Sequence, residues 1–284
     1  MQEQIKEASS GKETHSEEIL ASMAATQMPY KITSAGLSDI GLVRQNNEDV
    51  WAEVPEIGLY VLADGMGGHQ AGEIAARETV NALCRVIKRK ITTIKDGTIA
   101  EVRELLRHAI VHVNGQIFKM GRSKLELRGM GTTVCCLLFH PEGLVTAHVG
   151  DSRIYRLRGM KFEQITKDHS LLCELVDQGQ LNEQQVADFL YKNIITKAVG
   201  TEPKVEPGVE ANRVMVGDIY MMCSDGLSDL LAPEEMAAIL TKESTIKRAA
   251  QILVATANEK GGRDNITVVI AKVDKADGTK DLSR

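Results

Sequence analysis

The sequence contains no run approaching the roughly 18 consecutive apolar residues of a membrane span. Its opening, Met1-Gln2-Glu3-Gln4-Ile5-Lys6-Glu7, lacks the apolar stretch of a secretory signal. Both absences point to a cytoplasmic protein without a membrane partner. There is no C-x-x-C pair: Cys84, Cys135, Cys136, Cys173 and Cys223 mostly sit inside apolar runs and read as small, reduced core residues. Positive charge is in short supply, and a net charge of −5 argues against a nucleic-acid footprint. A G-x-x-x-x-G-K-[ST] loop, a G-x-S-x-G elbow and an H-E-x-x-H pair are all missing. Gly65-Met66-Gly67 is followed by Gln70 where a dinucleotide fingerprint has glycine. ATP binding, acyl transfer and zinc proteolysis therefore find no support. Neither a repeat of roughly 20–50 residues nor a low-complexity block interrupts the chain.

What remains is a 284-residue chain, 43% hydrophobic and 26% charged, the composition of a globular protein with one large domain and tails. Residues 1–33 form a polar extension in which Ile19, Leu20, Met23 and Ala24 allow a short helix, with a disordered tail as the equal alternative. Residues 274–284 are a polar tail. Apolar positions at helical spacing predict helices over 71–90 and 98–120, a short one from Leu171 to Val176, a capped one from Asn182 to near Tyr191, and two more over 233–240 and 246–259. Apolar runs predict strands at 59–63, 134–139, 144–149, 154–157, 161–165, 219–223 and 266–273. Short turns join several of these strands directly, so the expectation is antiparallel pairing and an α+β fold.

One stretch organises the rest. The apolar run 59–63 ends abruptly in Asp64, followed by Gly65, Gly67 and Gly68. A carboxylate at the end of a buried strand needs a partner or a metal, and Gly65 frees the backbone to turn its own carbonyl toward the same point. Asp151, Asp225 and Asp264 repeat the arrangement, each at a strand boundary beside glycine or asparagine. A single such acid is an ordinary turn residue. Four of them, with Glu48 and Asp49, make a cluster of negative charge that only cations could hold together, and oxygen donors suit Mg²⁺ or Mn²⁺.

These residues resemble the metal-dependent serine/threonine protein phosphatases of the type 2C family, and especially its compact bacterial members. The resemblance runs over about residues 33–273. It is carried by Ser38-Asp39-Ile40-Gly41 with Arg44 and Asn47-Glu48-Asp49; Asp64-Gly65-Met66-Gly67-Gly68-His69; Gly131-Thr132-Thr133; Val149-Gly150-Asp151-Ser152-Arg153; Thr166-Lys167-Asp168-His169-Ser170; Ser224-Asp225-Gly226-Leu227; and Asp264-Asn265.

The resemblance implies a four-layer α/β/β/α sandwich, two central antiparallel sheets flanked by helix pairs, over residues 34–273, with a flap segment at about 170–195. It implies two Mn²⁺ or Mg²⁺ ions sharing Asp64. Asp225 and Asp264 complete the first ion's protein ligands, the Gly65 carbonyl serves the second, and Glu48 and Asp49 act partly through water. Asp151 with Asp225 matches the pair holding a weaker third ion, and Arg44 the phosphate-binding arginine. The implied reaction is hydrolysis of phosphoserine and phosphothreonine in proteins by a metal-bridging hydroxide, opposing a serine/threonine kinase, in a monomer. The alternative is a pseudophosphatase that binds phosphoproteins without turnover, but no metal acid is missing here.

The chain departs from relatives in two places. Met66 stands where eukaryotic members have a histidine, and Phe189-Leu190-Tyr191-Lys192-Asn193 ends the flap segment where many bacterial members carry His-Pro. His69 and His169 read as local hydrogen-bonding residues, and Cys223 as a strand residue rather than a nucleophile.

Overall fold

A computed structural model of the chain describes residues 28–67, 71–94, 97–181, 185 and 194–276. The predicted helix after Ser16, the Gly68-His69 pair, the later part of the flap segment with nearly all of its predicted capped helix, and the end of the C-terminal tail lie outside the described residues.

Two antiparallel sheets form the centre. The first runs β1 (Tyr30–Asp39), β11 (Ile266–Lys275), β10 (Ile219–Cys223), β7 (Arg153–Arg158), β8 (Lys161–Gln164). The second runs β2 (Asp49–Val54), β3 (Leu59–Met66), β5 (Val134–His140), β6 (Gly143–Val149), β9 (Gly208–Asn212), with the two-residue β4 (Gly131–Thr132) paired to the end of β3. Helices α1 (Ala71–Ile91) and α2 (Ile99–Ser123) cover the second sheet; α5 (Pro233–Lys242) and α6 (Ile246–Glu259) cover the first. The short α3 (Leu171–Asp177) and the single turn α4 (Asp225–Ser228) follow β8 and β10. This is the predicted α/β/β/α sandwich.

The strands read as unbroken apolar runs because both of their faces are covered. Along β3, Leu59, Val61 and Ala63 pack under α1 and α2, while Tyr60 and Leu62 point at the other sheet. Along β10, Met221 and Cys223 face α5 and α6, and Tyr220 and Met222 face inward. Strand period 2 thus divides each run between two hydrophobic layers. Four of the chain's ten aromatic rings of Phe, Tyr and Trp meet between the sheets: Phe139 is edge-on to Tyr30, Tyr60 and Tyr220 at 5.9–6.2 Å. Helix α2 starts as predicted, at a capping box between Thr98 and Glu101.

Two details differ from expectation. β1 starts at Tyr30 and β11 reaches Lys275, so the sheet takes in residues assigned to the polar tails. β9 was not foreseen, since Gly208-Val209-Glu210-Ala211-Asn212 buries only Val209. α3 forms where predicted, with none of its residues fully buried.

Candidate active site

The predicted acids come from both sheets and meet at one end of the seam between them. Asp49 and Asp64 are directly paired across β2 and β3. Asp225 begins α4 after β10, Asp264 lies two residues before the start of β11, and Asp151 follows β6. Burial is graded. Asp49 and Asp151 are buried; Asp64, Asp225, Asp264 and Glu48 are partly open; the Arg44 side chain is 52% exposed at the rim.

The charges are left largely uncompensated. Burial, with repulsion from Asp49, Asp225, Asp151 and Asp264, raises the Asp64 carboxyl well above its usual range. Asp49 is pushed up to about 7, chiefly by burial and against the hydroxyls of Ser224 and Thr267. Asp151 also reaches about 7, through burial and then Asp225 and Asp168. Asp225 reaches about 6, through burial and then Asp264 and Asp229, while a hydrogen bond with Asp64 works the other way. Buried Oδ1 atoms of Asp49 and Asp151 have no hydrogen-bond partner. Glu48 is raised too, by burial offset by Arg44. Arg44 Nη2 donates to Asp264 Oδ2 at 2.6 Å.

Among the described residues, no three carboxylate, imidazole or thiol groups are closed around one cation-sized point. The acids are close neighbours in mutual repulsion. All their donors are oxygens, two of them buried and unpartnered, and that donor set fits hard divalent cations.

The motif residues without charge explain how the acids are held. Thr133 Oγ1 accepts from Asp64 N–H at 3.0 Å, and Asp64 O accepts from Thr132 Oγ1 and Thr133 N–H, both at 2.8 Å. Thr133 is also hydrogen-bonded to Ser152, next to Asp151, at 2.7 Å. Ser224 Oγ donates to Asp49 Oδ2 at 2.7 Å and accepts from Thr267 N–H, tying β2 to the other sheet. Asn265 pins the loop that carries Arg44 and Glu48: its Nδ2 donates to Ile40 O and Asn46 O, and its Oδ1 accepts from Glu48 N–H at 2.8 Å. A Cβ on Gly65 would lie 2.2 Å from Gly72 O and 2.8 Å from Glu48 O, so the start of α1 and the Glu48 backbone close against Gly65. Sequence reasoning noted most of these residues as motif members but gave them no role. Gly72 it missed altogether.

Other groups are accounted for structurally. Arg153 grips Asp168 through Nε and Nη2 at 2.7–3.2 Å. His169 Nδ1 accepts from Gly150 N–H, its ring stacks on His148 at 4.7 Å, and burial pushes its pKa down to about 4. Cys223 is fully buried and its thiol is pushed up to about 12, chiefly by burial, which leaves no thiolate for nucleophilic attack.

Residues 41–261 match the family model described as Protein phosphatase 2C. The chain belongs to the protein phosphatase 2C family. This phosphatase is 34% identical over 249 residues to a serine/threonine phosphatase, stp, of Listeria monocytogenes, across 87% of its own chain and 98% of the relative's. It is similar in structure to the S. agalactiae serine/threonine phosphatase, with a TM-score of 0.78 and 37% identity, covering 86% of this chain and all of that one. The catalytic domain of the phosphatase PstP, solved with two manganese ions, gives a TM-score of 0.73 at 35% identity, over 86% and 99% of the two chains. Among the described residues no helix of this phosphatase is long and apolar enough to cross a membrane.

Proposed function

We propose that the acid cluster is the catalytic centre through which this chain hydrolyses phosphoserine and phosphothreonine esters in proteins, with Mn²⁺ or Mg²⁺ as cofactor. As a member of its family, the chain is a protein phosphatase, a phosphoric monoester hydrolase. The observation that carries the residue assignment is the meeting of six acids from two sheets with Arg44 at their rim.

In this reading Asp64 would serve both ions, Asp225 and Asp264 the first, the Gly65 carbonyl the second, and Glu48 and Asp49 would act partly through water. Asp151 with Asp225 offers a weaker third position, an assignment supported by their mutual repulsion. Bound there, the ions acidify water and neutralise charge on the phosphoryl group. The chain's own residues do the rest. Arg44, bonded among the described residues through Nη2 alone, keeps planar donors for phosphoryl oxygens, which carry about −1.5 to −2 charge at neutral pH. Asn265 fixes the Arg44 loop, Ser224 fixes Asp49, and the Thr132-Thr133 pair fixes Asp64, so the reacting groups need little reorganisation.

The enzyme acts on phosphoproteins in the cytoplasm as a monomer, against a cognate serine/threonine kinase. The test is phosphate release from a phosphothreonine peptide with Mn²⁺, Mg²⁺ or neither, in the wild type and in Asp64→Asn. Ion-dependent turnover that Asp64→Asn abolishes is expected. Full activity in that variant, or in the presence of a chelator, would overturn the reading.

A further inference from the structure

A cavity of ≈ 470 Å³ opens at the C-terminal end of α2, with no acid in its lining, which includes Phe118, Arg122, Lys124, Leu125, Arg128 and Thr201. In a chain of net charge −5 it is a local reversal of sign. Among the described residues none of its three cations is paired with an acid, and Arg122 lies 5.6 Å from the centre of the Phe118 ring. Earlier on the same helix, Arg103 and Arg107 are paired with Glu104 and Glu206. Leu125 is 82% exposed on the wall.

The floor of the cavity is rigid. Buried Asn114 on α2 accepts from Gly200 N–H at 2.8 Å and donates to Glu202 O at 3.1 Å. Gly200 has φ +91°, and a Cβ there would lie 2.4 Å from Ile117 Cγ2. The same loop reaches the catalytic residues: Val199 and Thr132 exchange two backbone hydrogen bonds, and the Thr132 hydroxyl donates to Asp64 O. Cavity and acid cluster therefore share one frame.

We propose that this cavity is a docking subsite for an acidic segment of the phosphoprotein substrate, lying to one side of the phosphorylated residue. The proposal rests on the phosphoprotein phosphatase reading above. Two arginines and a lysine recognise carboxylates, while Phe118 and Leu125 cover the aliphatic stems of glutamate or neighbouring apolar side chains. Gly129, also on the wall, has φ +78° and nothing within 4 Å of a Cβ position, which leaves room for a peptide backbone to approach.

The experiment is steady-state kinetics of the full chain on p-nitrophenyl phosphate and on phosphothreonine peptides with acidic, alanine or lysine flanks, or with a second phosphorylated residue. In the wild type, the acidic flank lowers KM roughly three- to tenfold relative to alanine, with kcat unchanged, and added salt erases the difference. The double variant Arg122→Ala, Arg128→Ala removes the advantage but keeps turnover of p-nitrophenyl phosphate. Arg128→Glu shifts preference toward the lysine flank. Equal KM values for acidic and alanine flanks in the wild type overturn the docking proposal and leave the phosphatase reading standing. So does a preference confined to the doubly phosphorylated peptide, which names a different occupant. A uniform loss across all substrates in the double variant assigns the cations to structure and overturns it too. Inactivity of the wild type on every substrate brings down the phosphatase reading itself.

Discussion

Strand β10 carries an aspartate at each end, and the two are treated in opposite ways. Asp218, ahead of the strand and 1% exposed, is saturated: Arg158 donates to both carboxylate oxygens at 2.7 Å, Met215 N–H at 2.8 Å and the Tyr220 hydroxyl at 3.2 Å. Asp225, after the strand, faces Asp64, Asp264 and Asp229. A buried carboxylate that serves the fold comes with its cation built in. One that serves chemistry is held in place by uncharged residues and its charge is left to an exogenous partner.

The sharpest way to test that contrast is to neutralise each acid in turn. Asp225→Asn should cut phosphate release at least about 100-fold while the chelator-treated protein melts at the same temperature or higher, because a repelling buried charge has gone. Asp218→Asn should do the reverse, costing about 3 kcal/mol of stability by leaving Arg158 with half its partner and leaving kcat nearly intact. Denaturant melts and initial rates on the same two variants decide it; a large stability loss in Asp225→Asn would erase the distinction.

Next in size is the pH dependence of the ion-free protein. Asp49 and Asp151 titrate near 7 and Asp225 near 6 in the fold, against about 3.9 in an unfolded chain. Between those values the folded state holds protons that the unfolded state has released, so stability falls as pH rises from about 4 to 7. Since cations bind the deprotonated carboxylates, stabilisation by Mn²⁺ grows over the same interval, and at a hundredfold excess over Kd it is worth about 2.7 kcal/mol. Thermal melts at pH 5 and 7.5, with chelator and with Mn²⁺, should diverge at the higher pH by several degrees, at roughly 2–4 °C per kcal/mol.

Smaller again is Asn265→Ala, which frees the loop of Arg44 and Glu48 without removing an acid. A roughly 10-fold loss in kcat/KM with retained Mn²⁺ affinity, measured by calorimetry, is the expected outcome; unchanged kinetics would strip Asn265 of its positioning role. Smallest is Cys223→Ala, expected to keep activity within about twofold and to lose stability by about 1 kcal/mol.

The fold was legible where both faces of an element are apolar. The runs in β3, β5, β10 and β11 and the stripes of α1, α2 and α6 stand out because burial dictates their composition. β9 did not, since a strand whose single buried residue is Val209 carries no period to detect. α3 was legible as a helix from the spacing of Leu171, Leu172, Leu175 and Val176, although it fully buries none of them. The acids were legible because a carboxylate ending an apolar strand is locally anomalous. The roles of Ser224, Thr133 and Asn265 were not, because each is defined by a bond to a residue 69 to 217 positions away, and local composition says nothing of such bonds.

The hydrogen bond from Ser224 to Asp49 crosses from one sheet to the other, and so does the acid cluster around it. Ion loading would then act as a clasp on the whole sandwich, setting how freely its two halves slide. Slackening should spread through the aromatic layer around Phe139 rather than stay in the surface loops. Hydrogen exchange at Tyr60 and Tyr220, further along the strands from Asp64 and Asp225, would register whether the clasp is shut.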